Sequence, residues 1–78
     1  MDVRTSPEYR QGHIPESINI PLQAIERAAK VIEKENTPIF VYCQSGARSR
    51  QAAGALRRMG YKNVTDIGGI ALYRGSLK

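Results

Sequence analysis

The sequence predicts an α/β fold, a small parallel sheet with helices on both faces. Three observations carry that expectation. The run Ile39-Phe40-Val41-Tyr42 is apolar without alternation, as in a strand covered on both sides. Two segments around it, Leu22 to Lys34 and the stretch from Ser49 to Met59, repeat apolar residues at helical spacing. The links between strand and helix patterns are short, which implies right-handed crossovers and parallel strands.

Each element has its own local signal. Asp2-Val3 reads as the end of a strand. Thr5-Ser6-Pro7-Glu8 has capping-box spacing, with Pro7 in the first turn, where its missing N–H costs nothing. Tyr9 is the apolar contact of this short helix, and Gly12 ends it. His13-Ile14-Pro15 is held extended, because a residue before proline is pushed out of the helical region. Ile18-Asn19-Ile20-Pro21 reads as a very short strand. From Leu22 to Lys34 the inner stripe is Leu22, Ile25, Ala29 and Ile32, with Ala28 beside them. Asn36 is the expected left-handed stop, and Pro38 bars continuation. In the next helix Ala52, Ala53, Leu56 and Met59 form the stripe, and Gly60 closes it. Asn63 to Ile67 is a further strand, after which Gly68-Gly69 turns into a short helix carrying Ile70, Leu72 and Tyr73.

Composition bounds the function. The chain has 78 residues, read as one domain over 1–78. A domain this small buries only roughly 60–65% of its unfolded surface, so its stability margin is narrow. With 41% hydrophobic and 24% charged residues, disorder is excluded. One cysteine excludes an internal disulfide and favours a reducing compartment. No apolar run approaches the roughly 18–20 residues that span a membrane. Met1-Asp2-Val3-Arg4 lacks the basic and apolar regions of a signal peptide, so a cytoplasmic location is expected.

The net charge is +5, from 12 basic and 7 acidic residues. Arg48, Arg50, Arg57 and Arg58 lie in or just after the cysteine segment, a focus that draws small anions. Arg57 and Arg58 read as a solvated helix face. Nucleic acid is not an expected partner, since no long basic run or interleaved aromatic platform is present.

The chemistry centres on Cys43. It ends the apolar strand and is followed by Gln44-Ser45-Gly46-Ala47-Arg48-Ser49. A thiol between strand and helix meets successive backbone N–H groups and a positive helix end. A cysteine attacks as thiolate, and an isolated one, with pKa near ~8.5, is only a few per cent ionised at neutral pH. Three features lower that value here: the amides of Gln44 to Arg48, the helix N-terminus and the Arg48 guanidinium. A helix end contributes only about 0.3–1 kcal/mol, so the amides and the arginine are expected to supply most of the shift. Gly46 is expected to be left-handed or closely approached. Ser45 and Ser49 offer hydroxyls, and Ser49 is equally readable as a helix cap. A lone cysteine is often an inert buried hydrophobe, but the polar glycine loop favours a nucleophile.

Over nearly its whole length the chain resembles a rhodanese domain, the sulfurtransferase homology module. The amino-terminal signature lies in Asp2-Val3-Arg4-Thr5, Glu8-Tyr9, Gly12-His13-Ile14-Pro15 and Ser17-Ile18-Asn19-Ile20-Pro21. Val41-Tyr42-Cys43, Ser45-Gly46 and Arg48-Ser49 resemble the active-site loop, and Gly60-Tyr61, Asn63-Val64 and Gly68-Gly69-Ile70 the closing segment.

The resemblance implies a three-layer rhodanese-like fold whose first strand is missing here, leaving an edge open beside Asn63 to Ile67. It implies that Cys43 takes a sulfane sulfur from a small anionic donor such as thiosulfate, forming a persulfide. The sulfur then passes to cyanide, a thiol or a sulfur-accepting protein. Gln44, Ser45, Gly46, Ala47, Arg48 and Ser49 form the substrate loop. No metal or organic cofactor is called for, and no membrane partner. Asp2 is implied as a buried structural acid near the loop, Arg4 as the partner of a carboxylate, and His13 as structural rather than a base. Tyr73 stands where the family often has tryptophan and is expected to fill the same packing site.

Two other readings share the cysteine. Cell-cycle dual-specificity phosphatases have this fold and separate cysteine from arginine by five residues; Gln44 to Ala47 are four, a smaller cradle that suits one sulfur better than a phosphoryl group. A sulfur-relay or binding module without free turnover is the other.

Overall fold

The computed structural model describes residues 1–73 and 75–78, with Leu72 as backbone only. In order, the elements are α1 (Ser6–Gln11), a 3-10 helix (Leu22–Arg27), α2 (Ala28–Val31), β1 (Ile39–Cys43), α3 (Ala47–Arg58), β2 (Val64–Gly69) and a 3-10 turn (Ile70–Leu72).

The expected parallel pairing is present. β1 and β2 run from Ile39 opposite Val64 to Cys43 opposite Gly69, with a register shift between Val41 and Tyr42. Asp2 widens the sheet by one residue, bridging in parallel to Tyr42 on one side and Asn19 on the other. The Val3 N–H donates to the Tyr42 carbonyl at 3.1 Å, and the Asp2 N–H to the Ile18 carbonyl at 2.7 Å. Both predicted short strands, Asp2-Val3 and Ile18 to Pro21, therefore exist as single bridging residues.

Alternation along β1 sorts its side chains. Ile39 and Val41 meet Ala53 and Leu56 of α3 in one cluster, while Cys43 packs with Val3 and Ala52 in another. The alanines let helix and strand approach closely, and Val41 and Leu56 are fully buried. Each such side chain contributes roughly 1.5–3 kcal/mol relative to exposure. The α3 stripe is as the sequence predicts, and Gly60, at φ 108°, follows its end.

Five expectations are corrected. The second face of β1 is covered at Tyr42 but not at Phe40, which is 55% exposed because alternation turns it away from α3. The helix from Leu22 to Lys34 is broken, with Ala24 at non-helical φ −120°, and α2 ends at Val31. The Tyr61 hydroxyl meets the carbonyls of Ala28, the first residue of α2, and of Ile32, just past its end. Consequently Ala28 is buried and Ala29 exposed, the reverse of their predicted ranking. Asn36 is not left-handed; among the described residues, Glu16 is the one non-glycine at positive φ. The Asn36 carbonyl instead accepts from the Asn63 side-chain amide at 2.6 Å. Gly68 and Gly69 end β2 rather than forming a turn outside it. Tyr73 is exposed rather than packed, because the chain is extended again at that residue. The predicted role of the Leu72 side chain lies outside the described residues.

Candidate active site

The thiol is placed by the end of β1 and the start of α3. That helix begins at Ala47, earlier than the pattern from Ser49 implied, so Arg48 and Ser49 occupy its first turn. Gly46 caps it at φ 101°, a left-handed backbone that glycine adopts freely. The turn aims the Gly46 N–H back at Cys43, where it donates to Sγ at 2.9 Å. Ser49 is not the cap: it is fully buried, and its hydroxyl donates to the Gly46 carbonyl at 3.0 Å.

Cys43 is itself fully buried beneath Gln44, Ser45 and Ala47, which are exposed. Burial pushes its pKa up, since a thiolate loses water there. Hydrogen bonding from Ser49 and from the Gly46 and Ser45 amides acts the other way and prevails, leaving the thiol below its ordinary value. Of the amides expected from Gln44 to Arg48, those of Ser45 and Gly46 act on the sulfur, and Ser49, beyond that set, joins them.

Gly69 shapes the other wall. A Cβ there would lie 2.7 Å from the Gln44 carbonyl oxygen and 3.3 Å from the Ser45 Cα. The loop therefore packs directly on the β2 backbone, and any side chain at Gly69 displaces it. From the sequence Gly69 reads only as a turn residue. Its signal was the Gly-Gly pair following a strand, which marks close backbone approach as well as turns.

Asp2 and Arg4 support the loop from beneath. Asp2 is fully buried and accepts from Arg4 Nε at 3.0 Å and Nη2 at 2.7 Å. The same guanidinium donates to the Gly12 carbonyl at 2.6 Å and to Gln44 Oε1 at 3.2 Å. A charge pair this buried is tolerated because its remaining donors are satisfied. Arg4 thus connects the chain start, the end of α1 and the cysteine loop. His13 stacks on Tyr9 with ring centroids 3.8 Å apart, and its Nδ1 lies 2.9 Å from the Tyr9 carbonyl.

Arg48 departs from expectation. Its guanidinium is paired through Nη1 and Nη2 with both carboxylate oxygens of Glu8, at 2.7 and 3.0 Å. The main influences lowering the Cys43 pKa are hydrogen bonds from Ser49, Gly46 and Ser45, not this cation. Glu8 is the second residue that sequence reasoning missed at the site. It reads as a capping-box acid, and only the fold reveals its reach of 40 positions to Arg48. Among the described residues, no three of His, Cys, Asp and Glu gather as metal ligands.

Fold and loop together define an α/β domain whose strand delivers a thiol into a cradle of N–H donors. The family model of the rhodanese-like domain matches residues 1–75. The chain is 41% identical to the thiosulfate sulfurtransferase PspE of Escherichia coli (strain K12), over 90% of this chain and 68% of that protein. It is 38% identical to a sulfurtransferase of Allochromatium vinosum, over 88% of this chain and 64% of that protein. A solved structure of a rhodanese with anions from E. coli superposes at a TM-score of 0.92 with 37% identity, covering 99% of this chain and 92% of that one. The chain belongs to the rhodanese-like domain family. Its enzyme class is that of the rhodanese-type sulfurtransferases. No helix of the described residues is long and apolar enough to cross a membrane.

Proposed function

We propose that the protein moves a sulfane sulfur through a persulfide on Cys43. The observation that carries this reading is the Gly46 N–H···Sγ bond of 2.9 Å at a buried thiol whose pKa is nevertheless lowered. In the first step the Cys43 thiolate attacks the outer sulfur of thiosulfate or a similar small anionic donor. An S–S bond forms to Cys43, the donor's S–S bond breaks, and sulfite leaves with that electron pair. In the second step cyanide or a thiolate attacks the outer sulfur, and the electrons of the broken bond return to Cys43. The two steps balance without an external oxidant or reductant, and no proton must be removed in flight once the thiol is ionised.

Each loop residue has a role in this reading. Ser45, Gly46 and Ser49 donate to the sulfur, Gln44 ties the loop to Arg4, and Ala47 opens the helix whose positive end faces the site. Asp2 and Arg4 are positioning residues. Arg48, committed to Glu8, does not stand free to grip a phosphoryl group, which argues against phosphatase chemistry. The full burial of Cys43 favours one variant, a relay in which a docked sulfur-accepting protein draws the persulfide out. A thiol that cycles between free and persulfide forms also suits a cytoplasm that keeps thiols reduced.

Intact mass spectrometry tests the cycle. Thiosulfate should add one sulfur atom to the wild type, cyanide should remove it as thiocyanate, and Cys43→Ser should show neither event. Aryl phosphate hydrolysis that depends on Cys43, with no sulfur adduct, would replace this reading with the phosphatase one.

A further inference from the structure

The ion pair between Glu8 and Arg48 is not used by the chemistry above, yet it joins α1 to the cysteine loop. Both side chains keep 32% of their surface exposed, so an incoming anion can reach them. Glu8 is fixed independently of Arg48. Its Oε1 accepts from the Thr5 N–H and the Thr5 hydroxyl, both at 3.0 Å, within the capping box that starts α1. Arg48 is fixed by its place in the first turn of α3. Two rigid elements therefore hold a carboxylate against the one guanidinium in the Gln44–Ser49 loop. Arg48 stands between Gly46, whose N–H reaches Sγ at 2.9 Å, and the buried Ser49, so the pair sits on the loop that holds the sulfur.

We propose that Glu8 is a specificity residue: by cancelling Arg48 it sets the charge at the mouth of the cysteine loop and restrains the binding of multiply charged anionic donors. With the pair intact, a donor meets neutral N–H dipoles, which serve monoanions and dianions alike. With Glu8 neutralised, Arg48 becomes an uncompensated cation at the mouth, and a dianion gains twice what a monoanion gains. This rests on Cys43 being the sulfur-accepting thiol only for its consequence in turnover. The charge at the mouth exists whatever the thiol does.

The test uses the chain's only cysteine. Cys43 is alkylated with iodoacetate, an anion, and with iodoacetamide, its neutral counterpart, and both rates are followed by intact mass. Thiolate fraction and loop shape affect both reagents, so the ratio of rates isolates charge. Glu8→Gln should raise the iodoacetate-to-iodoacetamide ratio about three- to tenfold at low salt, converging on the wild type at high salt. Arg48→Gln should lower it, since the carboxylate is then left alone. In turnover, Glu8→Gln should lower KM more for thiosulfate, a dianion, than for methanethiosulfonate, a monoanion. Opposite signs for the two variants support the proposal. Equal changes with both reagents, or a thiol that neither reagent reaches, overturn it. Absence of turnover in a wild type whose alkylation ratio still responds would overturn the sulfur-transfer reading alone.

Discussion

Gly69→Ala isolates the packing of β2 against the cysteine loop. Gly69 has φ −87°, an ordinary value for alanine, so the substitution adds no backbone strain. What it adds is one methyl group 2.7 Å from the Gln44 carbonyl oxygen and 3.3 Å from the Ser45 Cα. Non-bonded carbons settle at about 3.5–4.0 Å, so the Ser45 contact falls short of that range, and the approach to the oxygen is closer than any relaxed non-bonded contact. Both obstructing atoms belong to backbone and cannot swing aside. The loop must move, or β2 must part from β1 near Cys43. Overpacking of this kind costs about 1–3 kcal/mol, which in a domain of this size lowers Tm by roughly 5–20 °C. The displaced residues, Gln44 and Ser45, adjoin the Gly46 N–H that donates to Cys43 Sγ at 2.9 Å. The thiol pKa should therefore rise toward its ordinary value. Thermal unfolding by circular dichroism gives the first quantity, and the pH dependence of thiolate absorbance the second. A Gly69→Ala protein with unchanged Tm and unchanged thiol pKa would refute the close-packed wall.

The mirror-image change is Gly54→Ala in α3: a Cβ there meets only the flexible Arg58 Nη1, at 3.4 Å. It should stabilise the protein by about 0.5–1 kcal/mol in urea unfolding, because alanine loses less backbone entropy in a helix. Cys43 has a folded pKa below its unfolded one, so its contribution is complete above the ordinary thiol value near ~8.5 and lost as pH falls through the folded value. Unfolding free energy should rise with pH across that window, and Cys43→Ala should flatten the rise; equal slopes would count against a stabilised thiolate. Glu8 is held down to about 2 from an ordinary 4.5, chiefly by its hydrogen bonds from Arg48 and then from the Thr5 backbone. Its stabilisation is full above 4.5 and fades toward 2, and solvent screening keeps it below ~1 kcal/mol. Wild type and Glu8→Gln should thus differ in Tm at pH 6 and converge near pH 2, with the difference reduced by salt.

Local signals were legible wherever a residue's neighbours in sequence are also its neighbours in space. The capping box of Thr5 and Glu8, the α3 stripe and the left-handed Gly46 all depend on contacts within one turn, so their spacing sufficed. The thiol at a strand-to-helix junction is of the same kind, since strand end and helix start are fixed by hydropathy and glycine. So is the parallel pairing, because short links leave little other topology.

The tertiary structure decided what depends on distant partners. Ala28 is buried because Tyr61, far along the chain, packs in the same cluster and bonds its carbonyl at 3.1 Å. Phe40 faces solvent because α3 packs on the opposite side of β1. Gly69 is a wall and not a turn because β2 runs beside Cys43. Most consequential is Arg48. Its position in the sequence assigns it to the thiolate, but three-dimensional folding brings Glu8 within 2.7 Å of it first. A full opposite charge at hydrogen-bonding distance outcompetes a more distant thiolate, as Coulomb's law requires. The sequence alone determined that a thiol sits at a strand-to-helix junction beside backbone N–H donors. The fold determined which charges surround it.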